Sequence, residues 1–276
     1  MSVLGVQKGV VVNVEQIHKY IKELKQVRRC LLQNVYLSDG ELSDIISKNK
    51  LYFHYLDDAY LLLYKKEHDY WRLYYYIADI EQFKMEDWSG SVVCEVFFQK
   101  ITENLSSLFS AFVSAGLNEY ARFSKYTRLN VGERVNEDFS HIRIGAQGVF
   151  YEALLTCFDR YTDYLPEEGE VNVFLKNNIC YSYIDDNGKF CGGAVISIKG
   201  RVATEEFVFV LPENRGQGIS KNLHKYCYNN IEIISSQKID RFVSWVNDEN
   251  ENSWKYLLNA GYNVKNEHKI TFLKGE

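Results

Sequence analysis

No stretch of this 276-residue chain reaches the roughly 18 consecutive apolar residues that a membrane-spanning helix needs. The longest candidate, Leu105 to Leu117, is too short and is broken by serines, so no membrane partner is expected. Val10 to Val12 is apolar, but only Lys8 precedes it, it is too short for a signal core, and no cleavage-like site follows; a cytoplasmic protein is expected. Paired cysteines are lacking as well. The six, at 30, 94, 157, 180, 191 and 227, form no C-x-x-C and read as buried small hydrophobes, with only Cys180 and Cys191 on adjacent predicted strands. His18, His54, His68, His141 and His268 show no metal-ligand spacing, and no metal is expected. An excess of positive charge is absent too: 32 Lys and Arg against 37 Asp and Glu give −5, which argues against nucleic acid and suits a cationic or neutral small substrate. Prolines number two against 21 tyrosines, a bias in composition more than the sign of an aromatic pocket.

What is present is a glycine loop in an informative place. Arg215-Gly216-Gln217-Gly218-Ile219-Ser220 follows a strand-like run, Val202 to Leu211, and opens a helix-like run in which Ile219, Leu223, Tyr226 and Cys227 recur at helical spacing. Two glycines let the backbone turn tightly, and the first N–H groups of the next helix favour a phosphate. The pattern is neither a dinucleotide fingerprint, which needs a glycine where Lys221 stands, nor a Walker loop, which ends in Gly-Lys-Ser/Thr.

The loop resembles the Arg/Gln-x-x-Gly-x-Gly/Ala loop of the GNAT acyltransferases, with Ser220 departing at the small-residue position. Downstream, Arg241 to Val246 reads as a strand, Asn247 to Asn250 as a helix start, and Trp254, Leu257 and Leu258 as a helix ending at Gly261. Asn250, Ser253, Gly261 and Tyr262 match that family's Asn-x-x-Ala/Ser and Gly-Phe/Tyr spacing. The resemblance implies acetyl-CoA or another acyl-CoA as cofactor, held by Val208, Phe209, Val210, Arg215, Gly216, Gln217, Gly218, Ile219, Ser220, Asn250 and Ser253. It implies acyl transfer to an amine of a small molecule or peptide, by a monomer or homodimer.

A carboxylate on the strand before the loop often serves as base in that family. Strand alternation predicts Glu206 on the face of Val208 and Val210 and Glu205 on the opposite face, so Glu206 is the candidate, with an ion pair as the competing reading. The family's thiol-protonating tyrosine aligns with Leu257, which leaves Tyr256, one residue and about 100° of helix away, as catalytic candidate, with a core role open. His224 reads as structural or exposed. A non-catalytic acyl-CoA-binding regulator and a tRNA-dependent aminoacyl transferase are the alternatives, the second disfavoured by the acidic balance.

The remaining pattern predicts an α/β chain of two similar halves, each a mixed, mostly antiparallel sheet flanked by helices. In the second half, Gly148 to Leu165 reads as a helix, Val171 to Leu175 as a short strand, Cys180 to Ile184 and Phe190 to Ile198 as a hairpin through Asn187-Gly188, and Lys269 to Lys274 as the closing strand. In the first, a helix from Val14 to Leu31 precedes strands at Tyr52 to Leu56, Tyr60 to Lys65, Trp71 to Ile80 and Val92 to Gln99 and a helix from Thr102. Phe112 to Asn118 echoes Leu257 to Asn263. Glu81 to Ser91 is too short for a phosphate loop and helix, and Leu105 and Leu108 stand where Asn250 and Ser253 do. A degenerate GNAT-like domain over 1–135, a linker near Val131 to Ser140 and an acyl-CoA-binding catalytic domain over 136–276 are therefore expected.

Overall fold

The computed structural model describes residues 5–85, 89–132 and 136–275. Residues 133–135, inside the expected linker, and 86–88, inside the short Glu81 to Ser91 stretch, lie outside that set. The chain divides into two units, Met1–Arg122 with Glu267–Glu276, and Phe123–Asn266.

The first unit contains β1 (Val6–Val10), α1 (Val14–Val27), β2 (Leu32–Gln33), α2 (Asp39–Ser47), β3 (Leu51–Leu56), β4 (Tyr60–Lys66), β5 (Tyr70–Ile77), β6 (Ser91–Phe98) and α3 (Glu103–Ser114). Its sheet runs β1-β3-β4-β5-β6 and takes His268–Lys274 as its last strand; β5 and β6 are parallel and the other neighbours antiparallel. Strand alternation sorts the core: Leu61, Leu63 and Tyr74 pack with Ile17, Tyr20 and Leu24 of α1 and Leu42 and Ile45 of α2, while Leu62, Tyr64 and Tyr75 pack with Leu108 and Phe112 of α3. The tyrosine-rich composition is spent here as core, with Tyr55, Tyr60, Tyr64, Tyr74 and Tyr75 buried. Asn13 and Thr102 cap α1 and α3 by accepting from Gln16 N and Leu105 N. Ser38 and Glu41 form a reciprocal capping box that starts α2, a helix not expected from periodicity.

The second unit contains the end of β7 (Asn118–Leu129), β8 (Ile142–Ile144), α4 (Phe150–Cys157), α5 (Val171–Asn177), β9 (Ile179–Ile184), β10 (Phe190–Lys199), β11 (Val202–Val210), α6 (Ile219–Ser235), β12 (Arg241–Asn247), α7 (Glu251–Asn259) and the start of β13 (Asn263–Lys274). Its sheet runs β8-β9-β10-β11-β12 and is completed by Phe123–Leu129 of β7; only β11 and β12 are parallel. One face carries α6 and α7, through Ile219, Leu223, Cys227 and Leu257. The other carries α4 and α5. Gly193 leaves room for the Phe150 ring to lie directly on β10, where any Cβ would collide with it.

Two elements differ from expectation. The helix foreseen over Gly148 to Leu165 is α4, and it stops at Cys157 because Phe158 turns extended and sets its ring 4.8 Å from Phe207 and 5.9 Å from Phe209. Beyond it, Asp159 accepts from Tyr161 N at 2.7 Å and Asp163 accepts from Asp159 N at 3.2 Å, side-chain bonds that compete with helix. Val171 to Leu175, foreseen as a strand from its β-branched residues, is helical in α5: Phe174 packs on Phe207 while Val173 faces solvent, so tertiary contact overrides a weak propensity. All six cysteines are free, Cys180 and Cys191 among them.

Candidate active site

β11 and β12 share four parallel rungs, Val202↔Arg241 to Glu205↔Ser244, and then diverge. The divergence coincides with a bulge. Val195 pairs with Phe207 and Ile196 with Glu205, so Glu206 is the extra residue on β11. This insertion shifts the alternation: Ala203, Val208 and Val210 belong to the α6 side, Phe207 and Phe209 to the α4 side. Glu205 therefore shares the face of Val208 and Val210, the reverse of the alternation read from an unbroken strand. Leu211 N donates to Cys191 O on β10 at 2.9 Å, and two-residue periodicity then turns the Val208 and Val210 N–H groups toward the opposite, diverging edge.

The opening between the strands is a cavity of about 410 Å³. Glu205, Glu206, Val208, Ser220, His224, Asn250, Ser253 and Tyr256 all line it. Thus the structure gathers Glu206 and Tyr256 with part of the expected cofactor set. Phe209 is turned into the aromatic cluster with Phe150 and Phe158, and Val210 and Arg215 to Ile219 lie outside the lining. A larger groove of about 750 Å³ beside α6 and α7 shares Tyr256, but neither carboxylate nor histidine lines it.

At the cavity floor, the Glu205 Oε1 and His224 Nδ1 atoms are 2.7 Å apart, with side chains 1% and 8% exposed. A carboxylate can only accept here, so Nδ1–H donates and Nε2 is left as the proton-accepting atom of a neutral ring. Glu205 Oε2 is buried without a partner. Tyr228 OH lies 3.5 Å from Glu205 Oε1 and donates to Tyr262 OH at 3.1 Å, closing the network beneath. The Tyr256 ring stands 4.9 Å from that of His224. Burial first, and then the Glu205 charge, raises the Tyr256 phenol above its usual value against the opposing pull of Arg128, so it keeps its proton through the neutral range. Glu206, by contrast, is exposed and accepts from Ser197 Oγ. Sequence reasoning missed the buried pair; its signal was the i, i+4, i+8 stripe of Ser220, His224 and Tyr228 on α6.

The glycine loop has the form an anion site needs. A single 3-10 turn, Pro212–Asn214, leads to Gly216 and Gly218 at φ +79° and +78°. Gly218 caps α6 and contributes no side-chain hydrogen bond, and Asn222 N is bonded to Gly218 O, so the N–H groups before Asn222 point outward. Open space surrounds both glycines. Arg215 Nε donates to Val210 O at 3.3 Å, pinning the loop to the strand end. Asn250 caps α7 by accepting from Ser253 N at 3.2 Å, which directs the first turn of α7 at the cavity. These features fit the pyrophosphate and the amide-bearing arm of an acyl-CoA.

Residues 148–262 match the acetyltransferase (GNAT) family. That stretch, less than half of the chain and inside the second unit, carries the GNAT domain match. Similarity of fold extends over almost the whole chain to a GCN5-related N-acetyltransferase from Sphaerobacter thermophilus, at 11% identity and a TM-score of 0.58, covering 98% of this chain and 95% of that one. A tandem GNAT protein from the clavulanic acid biosynthesis pathway gives 7% identity, a TM-score of 0.59 and 98% coverage of both chains. A GCN5-related glucosamine N-acetyltransferase region of a fungal multi-domain β-N-acetylglucosaminidase gives 10% identity and a TM-score of 0.61, over 99% of this chain and 38% of that one. No curated protein matches the chain. Among the described residues, no helix is long and apolar enough to cross a membrane, and no cluster of His, Cys, Asp and Glu could hold a metal ion.

The first unit has the same strand divergence as the second and fills it. Its β5 and β6 also share four parallel rungs, Tyr70↔Ser91 to Leu73↔Cys94. Beyond them β2 pairs with β5, Leu32 with Ile77 and Gln33 with Tyr76. Buried Asn34 then bridges the gap: its Nδ2 donates to Glu95 O at 2.8 Å and Leu73 O at 3.2 Å, and its Oδ1 accepts from Tyr75 N at 2.8 Å. Tyr36 OH adds a bond to Glu95 Oε2 at 3.0 Å. The edge that is open in the second unit is thus satisfied internally here. Asn34→Ala leaves several buried backbone groups without partners and is expected to lower stability by about 3 kcal/mol, at the upper end for lost buried hydrogen bonds. Urea unfolding checks this; an unchanged midpoint would contradict the bridging role.

Proposed function

We propose that the protein transfers an acyl group, acetyl in the simplest case, from acyl-CoA to an amine of a small molecule or peptide. The observation that carries this reading is the Glu205–His224 pair in the floor of a cleft bounded by the open edge of β11 and the uncapped start of α6. Acyl-CoA supplies a thioester carbonyl. The Gly216 to Ser220 backbone and the first turn of α6 hold the phosphates, and Val208 and Val210 N–H groups are positioned for the arm and for negative charge developing on the acyl oxygen.

An amine arrives as ammonium near neutral pH and must shed a proton before its nitrogen attacks. His224 Nε2 takes that proton, while Glu205 fixes the ring tautomer and balances the imidazolium charge. The C–N bond forms, the C–S bond breaks and Tyr256 gives its hydroxyl proton to the departing sulfur. The second amine proton leaves as the amide forms, and Tyr256 regains one, so amide, CoA thiol and one net proton result. Glu206, foreseen as the base, is assigned to the rim, where it meets the acceptor: its exposure and its bond to Ser197 suit binding more than proton abstraction.

Calorimetric titration with acetyl-CoA tests this, with desulfo-CoA and ATP as comparisons. Micromolar binding at one site per chain is expected, because among the described residues only the second unit has an open strand edge and an uncapped glycine loop. Absence of binding would sink the reading; binding with no thiol release across an amine series would favour the regulatory alternative, which Leu257 at the family's tyrosine position supports.

A further inference from the structure

Beneath the Glu205–His224 pair lie two phenols that the acyl-transfer reading does not use, Tyr228 on α6 and Tyr262 just after α7. The Tyr228 hydroxyl stands 3.5 Å from Glu205 Oε1, 3.4 Å from His224 Nδ1 and 3.1 Å from Tyr262 OH. Burial raises both phenols well above their usual value, so each keeps its one hydrogen through the neutral range. The hydrogen of Tyr228 therefore has two acceptors in reach. Donated to Tyr262, it leaves the Glu205 charge to His224. Donated to Glu205, it shares that charge, and Tyr262 can then donate to the Tyr228 oxygen. Among the described residues, His224 and Tyr228 alone bring hydrogen-bond donors to the Glu205 carboxylate, whose side chain is 1% exposed. The other titratable and charged groups about the pair are three. The Tyr256 ring, from α7, stands 4.9 Å from that of His224. The Cys227 thiol, on α6, is held neutral because burial raises it. The Arg128 guanidinium, from β7, lies 4.3 Å over the Tyr228 ring.

From this arrangement we infer that Tyr228 is a positioning residue whose hydroxyl turns as His224 changes charge, toward Glu205 when the ring is neutral and toward Tyr262 when it is imidazolium. The neutral ring leaves the buried carboxylate short of donors, and Tyr228 supplies one. The imidazolium balances the carboxylate by itself and releases Tyr228 to Tyr262. The hydroxyl thus favours the neutral ring, the form in which Nε2 can accept a proton. Its removal has a definite sign. Glu205 is left with only His224 to balance it, the imidazolium is stabilised, and the ring holds its proton to higher pH. The consequence for turnover rests on the acyl-transfer reading, whereas the coupling of Tyr228 to His224 does not.

The test follows the histidine signals of the full chain by NMR from about pH 5 to 9 in wild type, Tyr228→Phe and Tyr262→Phe, with His224→Gln marking which signal is that of His224. Tyr228→Phe keeps the ring that packs 4.8 Å from Phe242, so the fold is expected to hold, and unchanged signals from the other five of the six histidines verify it. The His224 midpoint is expected to move up by about 0.5–1 unit in Tyr228→Phe. Tyr262→Phe moves it by less than half as much, since Tyr228 keeps its hydrogen for Glu205. In a Glu205→Gln background Tyr228→Phe moves nothing, because the charge that joins them is gone. The acid limb of kcat/KM for thiol release from acetyl-CoA with butylamine rises together with the midpoint, whereas a merely structural lesion lowers the whole profile and leaves the limb in place. An unmoved or lowered midpoint in Tyr228→Phe, an equal rise in Tyr262→Phe, or a rise that persists without the Glu205 charge overturns the inference. The expected midpoint shifts in a protein that neither binds acetyl-CoA nor releases thiol would uphold the Tyr228 coupling and remove the acyl-transfer reading.

Discussion

Replacing Glu205 by glutamine lowers kcat for acyl transfer by about 10²- to 10³-fold, the range typical of losing a positioned general base. The isostere keeps the volume and one acceptor oxygen at the His224 Nδ1 position, but removes the negative charge that compensates the imidazolium. His224→Gln has a loss of the same order, and the double variant is little worse than either single one, because the two side chains act as one device. Acetyl-CoA affinity stays within about twofold in all three, since neither residue belongs to the glycine loop or the open strand edge. Glu206→Gln supplies the contrast: it raises acceptor KM about three- to tenfold, the scale of one partly exposed charge interaction, with kcat nearly unchanged. Steady-state kinetics with calorimetry on the same samples decides the matter. A large kcat fall for Glu206→Gln and none for Glu205→Gln would return the proton to the rim residue.

The reason Glu205 was hidden and Gly218 was not is physical. A tight turn with φ near +78° selects glycine by local sterics, so the loop and the helix it opens are legible in six residues. The faces of Glu205 and Glu206 depend on a bulge against β10, and pairing register is a property of two strands that neither reveals alone. The same limit hides β2, two residues long, whose role comes from Asn34 reaching backbone groups 39 to 61 positions away. By contrast, the Ser38-x-x-Glu41 box marks the start of α2 locally, in four residues and independently of hydrophobic periodicity.

The two units also explain each other. Each has a sheet whose parallel pair holds together for four rungs and then parts. Parting leaves main-chain donors and acceptors on an interior strand edge, and such groups must find partners. The first unit supplies them from its own Leu32 to Asn34; the second presents them to a cavity. An internal strand in the gap then fits the short β5–β6 connection in the sequence, since a segment that satisfies the edge leaves no cofactor arm to be held.

Gly218→Asp separates binding from folding by moving them in different directions. At φ +78° a β-carbon costs about 1–2 kcal/mol, less for aspartate, which tolerates this region better than most residues. Open space around the glycine adds no clash. The new carboxylate stands at the N-cap of α6, where an aspartate accepts from the free N–H groups and gains about 1 kcal/mol, so the unfolding midpoint changes little. Those same N–H groups are the ones a pyrophosphate requires. The side chain fills the anion site and sets a fixed negative charge against the ligand, and the Kd for acetyl-CoA is expected to rise at least about 100-fold, or about 2.7 kcal/mol. Gly218→Ala has the same backbone strain with neither charge nor cap, and its Kd rises no more than about tenfold. Calorimetry and urea unfolding of the two variants together discriminate: equal affinity losses would mean that strain in the turn, not occupation of the helix start, controls binding, while unchanged affinity in the aspartate variant would remove phosphate from this loop altogether.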